Sequence, residues 1–204
     1  MSLDKVGEVR EIEGLPDWEL AFRFSSGRVC LSFCGTVGER WRRSFERLRA
    51  PADLGRWLVA AGLADDEPRV TPELLRGAHV LREAIFRLVQ AAMAGADGRD
   101  TDRAAVNDFA RRRPVAAQIG TAGTRQLWTG RDAASAGLAA VAVDAVDLLT
   151  SRAIGRVREC DAPDCALLFL DTSRPGRRRW CADGACGSKA RSAAYRARQL
   201  PPTA

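Results

Sequence analysis

The chain has 204 residues, with 32 basic and 26 acidic side chains and one histidine, for a formal net charge of +6. That length holds one full domain with a sizeable core plus a small appendage. The single histidine, His79, excludes a two-histidine metalloprotease motif and leaves a Ser-His-Asp triad no other base to use; no phosphate-cradling glycine motif of the Gly-x-Gly-x-x-Gly or Gly-x4-Gly-Lys-Ser/Thr form occurs.

Met1 to Arg10 contains no apolar run, which argues against a signal peptide and for a cytoplasmic chain with reduced thiols. Leu20 to Phe33 alternates about Ser25-Ser26-Gly27, with Phe22 and Phe24 on one face and Val29, Leu31 and Phe33 on another, and reads as a hairpin. Cys30 and Cys34 read as small buried apolar residues in preference to a redox pair. Pro51-Ala-Asp53 opens a short helix carrying Leu54, Trp57, Leu58 and Ala61, with Gly62 as its C-terminal cap. Asp65-Asp66-Glu67 reads as a loop.

Thr71-Pro72-Glu73 supplies a capping hydroxyl, a first-turn proline and an acid near the positive helix end. The stripe Leu74, Ala78, Leu81, Ile85, Leu88, Val89, Ala92 follows at helical spacing and is expected to face the core, with His79 partly buried at its edge. A shorter helix is predicted from about Thr101 to Arg112, ending before Pro114. Val115 to Ile119 and Arg125 to Trp128 flank Gly120-Thr-Ala-Gly123 as a second hairpin. Asp132 then caps a long helix to about Ala153, burying Leu138, Val141, Ala142, Ala145 and Leu149. Asp144 and Asp147 fall on its opposite side, interrupt the longest apolar stretch, argue against a membrane span and receive no role.

The most specific pattern lies near the C-terminus. Cys160-Asp-Ala-Pro-Asp-Cys165 and Cys181-Ala-Asp-Gly-Ala-Cys186 are two pairs of equal inner spacing, joined by an arm of fifteen residues. Two tight turns brought together by that arm can offer zinc four thiolates in a closed tetrahedron, which leaves no position for catalytic water. The spacing within each pair is wider than the commonest two-residue form. The alternative is a pair of disulfides in a secreted protein; the reduced compartment favours zinc.

All the excess charge sits in this segment. From Arg152 to Arg198 there are eleven basic and five acidic residues, and the remainder carries twenty-one of each. A tetrathiolate zinc carries a formal charge of −2, so about +4 remains for an outside partner. The last helix is predicted from near Ser188 to Gln199, ahead of Pro201-Pro202. Ala190, Ala193, Ala194 and Ala197 make one small-residue side, expected to lie close to the zinc core. Lys189, Arg191, Arg196 and Arg198 spread over the rest, and Arg177 and Arg178 precede the second pair. A metal-anchored basic helix is suited to a DNA groove, with arginines contacting phosphates or guanine edges; the plain alternative is a solvated helix that keeps the protein soluble. Of the arginines at 177–179, a split is expected, one structural with Trp180 and the others outward.

These residues also carry a family resemblance. The two cysteine pairs, Leu168-Phe-Leu-Asp171 with Ser173-Arg174, Arg178-Arg-Trp-Cys181, and Cys186-Gly-Ser-Lys189 with Tyr195-Arg-Ala-Arg198 resemble the CGNR zinc finger family. Upstream, Arg28-Val-Cys-Leu-Ser-Phe33 with Thr36, Arg40, Leu54 and Trp57-Leu58 is similar to the ABATE domain that precedes this finger. The resemblance implies a bacterial stress-induced transcription regulator with an α/β N-terminal domain. Two departures stand out. Ser188-Lys189 replaces the family's Asn-Arg, keeping a helix-capping oxygen but losing the planar guanidinium. Ser32 and Gly35 replace an aspartate and an asparagine, which puts in question any ligand those residues hold in relatives.

The expectation is an α+β fold. A mostly helical N-terminal domain over residues 1–153, with two β-hairpins forming a small antiparallel sheet, would serve as a sensor. A C-terminal four-cysteine zinc finger over 154–204, treble-clef-like or ribbon-like, would end in a helix. Zinc is the expected cofactor, with ligands Cys160, Cys165, Cys181 and Cys186. DNA is the expected partner, through Arg177, Arg178, Lys189, Arg191, Arg196 and Arg198, with a homodimer to add affinity and an effector of unassigned chemistry. The alternatives are a zinc-scaffolded protein-interaction module and an enzyme built on the N-terminal domain.

Overall fold

The computed structural model describes residues 9–10, 12–128 and 132–199. Met1 to Glu8, Pro201 and Pro202, and the side chains of Ala194 and Ala197, lie outside the described residues. Helices α1 (Asp17–Leu20) and α2 (Val29–Cys34) lead to a short ladder of β1 (Val37–Gly38) and β2 (Phe45–Glu46). Helices α3 (Pro51–Ala60), α4 (Pro72–Met93) and α5 (Asp100–Ala110) follow, then hairpin β3 (Ala116–Ile119) and β4 (Arg125–Trp128), then α6 (Ala133–Thr150). A 3-10 turn, Arg152–Arg156, passes into β5 (Val157–Glu159) and β6 (Leu168–Leu170); the turn Asp183–Gly187 then leads into α7 (Ser188–Gln199).

The class is α+β and mostly helical, as expected. The strands, however, form three separate antiparallel two-stranded ladders and no shared sheet among the described residues. Ladder β1–β2 is only two residues deep, and all four side chains of β3 are exposed, so neither offers a broad face on which a sheet could grow.

Helices α2, α4, α5 and α6 pack together as the core of the N-terminal domain. Thr71 accepts a hydrogen bond from the Leu74 N–H (3.2 Å) and Asp132 from that of Ser135 (3.0 Å), so both predicted caps are in place. On α4, Ala78, Leu81, Ile85, Leu88 and Val89 are buried as expected; at its ends Leu75 and Ala91 are buried in place of Leu74 and Ala92. Trp57 of α3 is fully buried against Phe33, ring centroids 4.9 Å apart. At Gly137 of α6, a Cβ would come within 2.6 Å of Leu58 Cδ2, so glycine sets the close approach of α3 and α6. Helix α6 is long and apolar enough by composition to cross a membrane, yet half of it is buried inside this fold.

The first predicted hairpin is not one. Residues 29–34 form a helix, α2, and Cys30, Leu31, Ser32, Phe33 and Cys34 are all buried. When every face is covered, a two-residue alternation carries no information about period. The helix start is also invisible locally, because its cap comes from α6. Asp144 accepts from the Cys30 N–H at 2.9 Å, and Arg28 pairs with Asp144 (2.8 Å) and Asp147 (2.7 Å). The two aspartates left without a role therefore hold the N-terminus of α2, where negative charge is favoured.

A buried ionic cluster joins α4 to the β1–β2 segment. Arg82 is 2% exposed and makes a fork of two 2.7 Å bonds to Glu46; its remaining donors reach Thr36 and Glu83. Arg40 pairs with the other side of Glu83 at 2.8 Å and donates to the Cys34 carbonyl. His79 contacts the Leu48 carbonyl at 3.0 Å. Burial alone would push the Glu83 carboxyl up, but Arg40 and then Arg82 outweigh it and hold it down at about 2. With the folded value below the unfolded one, this stabilisation is full above about pH 4.5 and is lost as pH falls toward 2. Acid titration of chemical stability should lose about 3 kcal/mol through this window, and Glu83→Gln should remove that part of the pH dependence. A Gln variant with the same acid profile would contradict the assignment.

The C-terminal segment is built onto this core. Val157 and Leu168, both almost fully buried, belong to the same apolar cluster as Leu31, Leu81 and Leu148. The Leu170 N–H donates to the Ser26 carbonyl at 2.8 Å. Glu159 accepts from Gln90 (2.9 Å) and from the Trp41 indole N–H. At Gly35 a Cβ would collide with Leu167 Cδ1, so a larger residue there would press on the chain between the first cysteine pair and β6.

Candidate metal centre and basic helix

Backbone hydrogen bonds bring the cysteines together. The Cys160 N–H donates to the Leu167 carbonyl (3.0 Å) and that of Cys165 to Ala162 (3.1 Å), closing the first turn. The Asp161 N–H donates to the Arg179 carbonyl (2.9 Å), and the Cys181 N–H to Cys160 Sγ (3.4 Å), laying the second pair beside the first. Asp171, fully buried, organises the arm by accepting from the Ser173 and Arg178 N–H groups at 2.9 Å each; Ser173 first, and then Arg178, hold its carboxyl down at about 2.

The sulfurs of Cys160, Cys165, Cys181 and Cys186 all lie within 4.8 Å of one another, and all four residues are buried. Cys165 to Cys181 and Cys181 to Cys186 are each 3.7 Å apart. A zinc–sulfur distance of about 2.3 Å gives a tetrahedral edge of about 3.8 Å, so the donor set fits zinc in kind and in spacing. Without a cation the four groups cannot all ionise. Hydrogen bonding with Cys165 favours the thiolate at Cys160, and sharing with Cys160 pushes Cys165 and Cys181 up. Burial and neighbouring thiolate charge push Cys186 up to about 12. A divalent cation removes that conflict.

Arg47 of the N-terminal domain, which no sequence signal singled out, lines a cleft with Cys165. It is 6% exposed, donating to the carbonyls of Glu19 (2.8 Å) and Gly35 (3.0 Å). Burial and then Arg23 pull its guanidinium down to about 10, while negative charge on Cys165 favours its cationic form.

The expected split of the arginine run is present. Arg178 turns inward, donating to the carbonyls of Trp180 (2.9 Å) and Cys181 and lying 4.6 Å over the Phe169 ring. Arg179 pairs with Asp161 at 2.7 Å, and Arg177 is exposed. Arg178 is thus committed to the finger's own backbone and stands apart from the other five basic residues named for nucleic acid.

Helix α7 takes its main packing from the turn Asp183–Gly187. Ala190 is half-buried but Ala193 is exposed, so the expected packing on the metal core is not made at Ala193, and Ala194 and Ala197 fall outside the described side chains. Alanine offers too little apolar area to hold a helix down by itself. Ser188 does not act as an accepting cap: its hydroxyl donates to the Asp183 carbonyl at 3.2 Å. Lys189 reaches Asp164 (3.2 Å) and Arg191 reaches Asp183 (2.8 Å) at the helix base. Arg196 and Arg198 are exposed further out, beside Tyr195 at 65% exposure.

Residues 27–152 match the profile of ABATE, described as "Putative stress-induced transcription regulator". The chain belongs to the ABATE family. Residues 156–199 match the CGNR zinc finger, following the ABATE domain in that order. A search of curated proteins finds no match. Within the ABATE domain the departure at Gly35 has a local consequence: this position packs on the finger's Leu167. The other, Ser32, is buried within α2.

Proposed function

We propose that the chain is a zinc-dependent regulator that binds duplex DNA through α7, acting by binding and not by catalysis. The observation that carries this reading is a basic, exposed helix whose base is fixed by the four-cysteine cluster. A twelve-residue helix is about 18 Å long, enough to lie in a major groove. Zinc would be held by Cys160, Cys165, Cys181 and Cys186 and would supply the charge that lets four thiolates coexist; Arg47 lies in the cleft beside Cys165, and Arg178 holds the Cys181 carbonyl. Arg191, Arg196 and Arg198 are the principal contacts, with Arg177 and Lys189 at the base. Because one helix covers little surface, the working form is a homodimer.

Anisotropy titration of a labelled random-sequence duplex tests this. Affinity should fall along a straight line in log salt, with a slope of about −4 if four to five phosphates are neutralised. The Arg191→Ala/Arg196→Ala/Arg198→Ala protein, with zinc retained, should lose about three of those contacts and a matching part of the slope. Equal, salt-insensitive binding by both proteins would remove the DNA reading and favour a zinc-scaffolded protein-docking surface, for which the exposed Tyr195 is the best anchor.

A further inference from the structure

A narrow cleft of about 40 Å³ runs between the ABATE domain and the finger. Trp18 and Lys189, both exposed, line it together with Arg47, Leu167 and Cys165. That volume admits one or two molecules the size of water. Hydrogen peroxide is of that size; a branched alkyl hydroperoxide is not. Of the four clustered cysteines, Cys165 alone lines the cleft. Its sulfur also lies 3.7 Å from that of Cys181, so a second thiol stands ready.

Resting on the zinc reading of the cluster, we infer that Cys165 is a peroxide-sensitive modification site, reached through this cleft, whose oxidation dismantles the metal centre. The Cys165 sulfur attacks one peroxide oxygen; the S–O bond forms, the O–O bond breaks, and the hydroxide that leaves takes a proton to become water. The sulfur is oxidised by two electrons to a sulfenic acid and the peroxide is reduced. The Cys181 thiolate then attacks the Cys165 sulfur; the S–S bond forms, the S–O bond breaks, and a second hydroxide leaves as water on protonation. Two of the four ligands are consumed, so the site releases its metal and α7 loses its anchor.

Two features of the surroundings direct the chemistry to this residue. Access is one: Cys165 lines the cleft and the other three clustered cysteines do not, while the charges along it are mixed, with Glu19, Glu39 and Asp164 beside Arg47 and Lys189. The other two cysteines are shielded: Cys30 and Cys34 are 0% and 2% exposed, and burial pushes the Cys34 thiol up to about 12, keeping it protonated.

The test uses the full, unmodified chain after its zinc content has been measured. Hydrogen peroxide or tert-butyl hydroperoxide is added, each rate being normalised to the same oxidant's rate with glutathione. Zinc release is followed with a chromogenic chelator, and the first oxidised residue is mapped by mass spectrometry with a sulfenic-acid trap. The expected results are Cys165 in the first product, as sulfenic adduct or as a disulfide to Cys181, and normalised release at least about tenfold slower with the bulky oxidant, given the cleft size. A first product lacking Cys165, equal normalised rates, or zinc retained through excess peroxide would overturn this inference alone. A chain that binds no zinc would overturn the zinc reading with it.

Discussion

Replacing Cys181 by serine is expected to abolish stoichiometric zinc binding and to lower the stability of the whole chain, not only of its C-terminal finger. Cys181 is the central member of the cluster: its sulfur lies 3.7 Å from two others and its N–H bonds to the fourth, Cys160. Zinc in small thiolate sites contributes about 10–16 kcal/mol of apparent binding energy, which is folding energy wherever the site does not exist in the unfolded chain. The loss should spread because Val157 and Leu168 sit in the ABATE core and Glu159 is clamped by Gln90 and Trp41. Thermal unfolding followed by tryptophan fluorescence should show one transition, with a midpoint about 10 °C lower, corresponding to about 3 kcal/mol of transmitted destabilisation. An ABATE transition unchanged in midpoint, with the finger melting separately, would contradict the shared core.

Cutting Arg82 to methionine is expected to have an effect of similar size, acting through the ABATE core and not through the metal. The substitution leaves the Glu46 carboxylate buried with its bidentate partner gone; the Leu48 N–H (2.8 Å) and His79 (3.7 Å) remain beside it. Breaking one side of a buried ion pair costs about 3–5 kcal/mol, a large share of the stability of an ordinary domain. The urea midpoint should fall accordingly. Adding Glu46→Leu to Arg82→Met should recover part of the loss, because the stranded charge is then gone. Strictly additive losses in the two single variants and the double would show that the pair is not coupled as its geometry requires.

The metal centre was legible because its signal is local and chemical: four cysteines at fixed spacing need no tertiary knowledge to be grouped. The caps of α4 and α6 were legible for the same reason, each lying within three residues of the N–H it serves. What escaped the sequence depends on distant partners. Helix α2 looks like a strand until Asp144, over a hundred residues away, is seen capping it. Arg82 follows the apolar Leu81 on α4 and resembles a surface residue until Glu46 and Thr36 close over it. Val157 and Leu168 fall inside the stretch assigned to the finger, and nothing in their neighbours reveals that they complete another segment's core. Ala193 shows the reverse error, since a stripe at helical spacing need not have anything to pack against.

Everything proposed for this chain begins with one metal ion held by sulfur, and X-ray absorption at the zinc K edge of the purified 204-residue chain measures that directly. The account predicts one zinc per chain with four sulfur neighbours at about 2.3 Å and no light-atom ligand. A zinc-free protein, or a first shell containing nitrogen or oxygen, would contradict it.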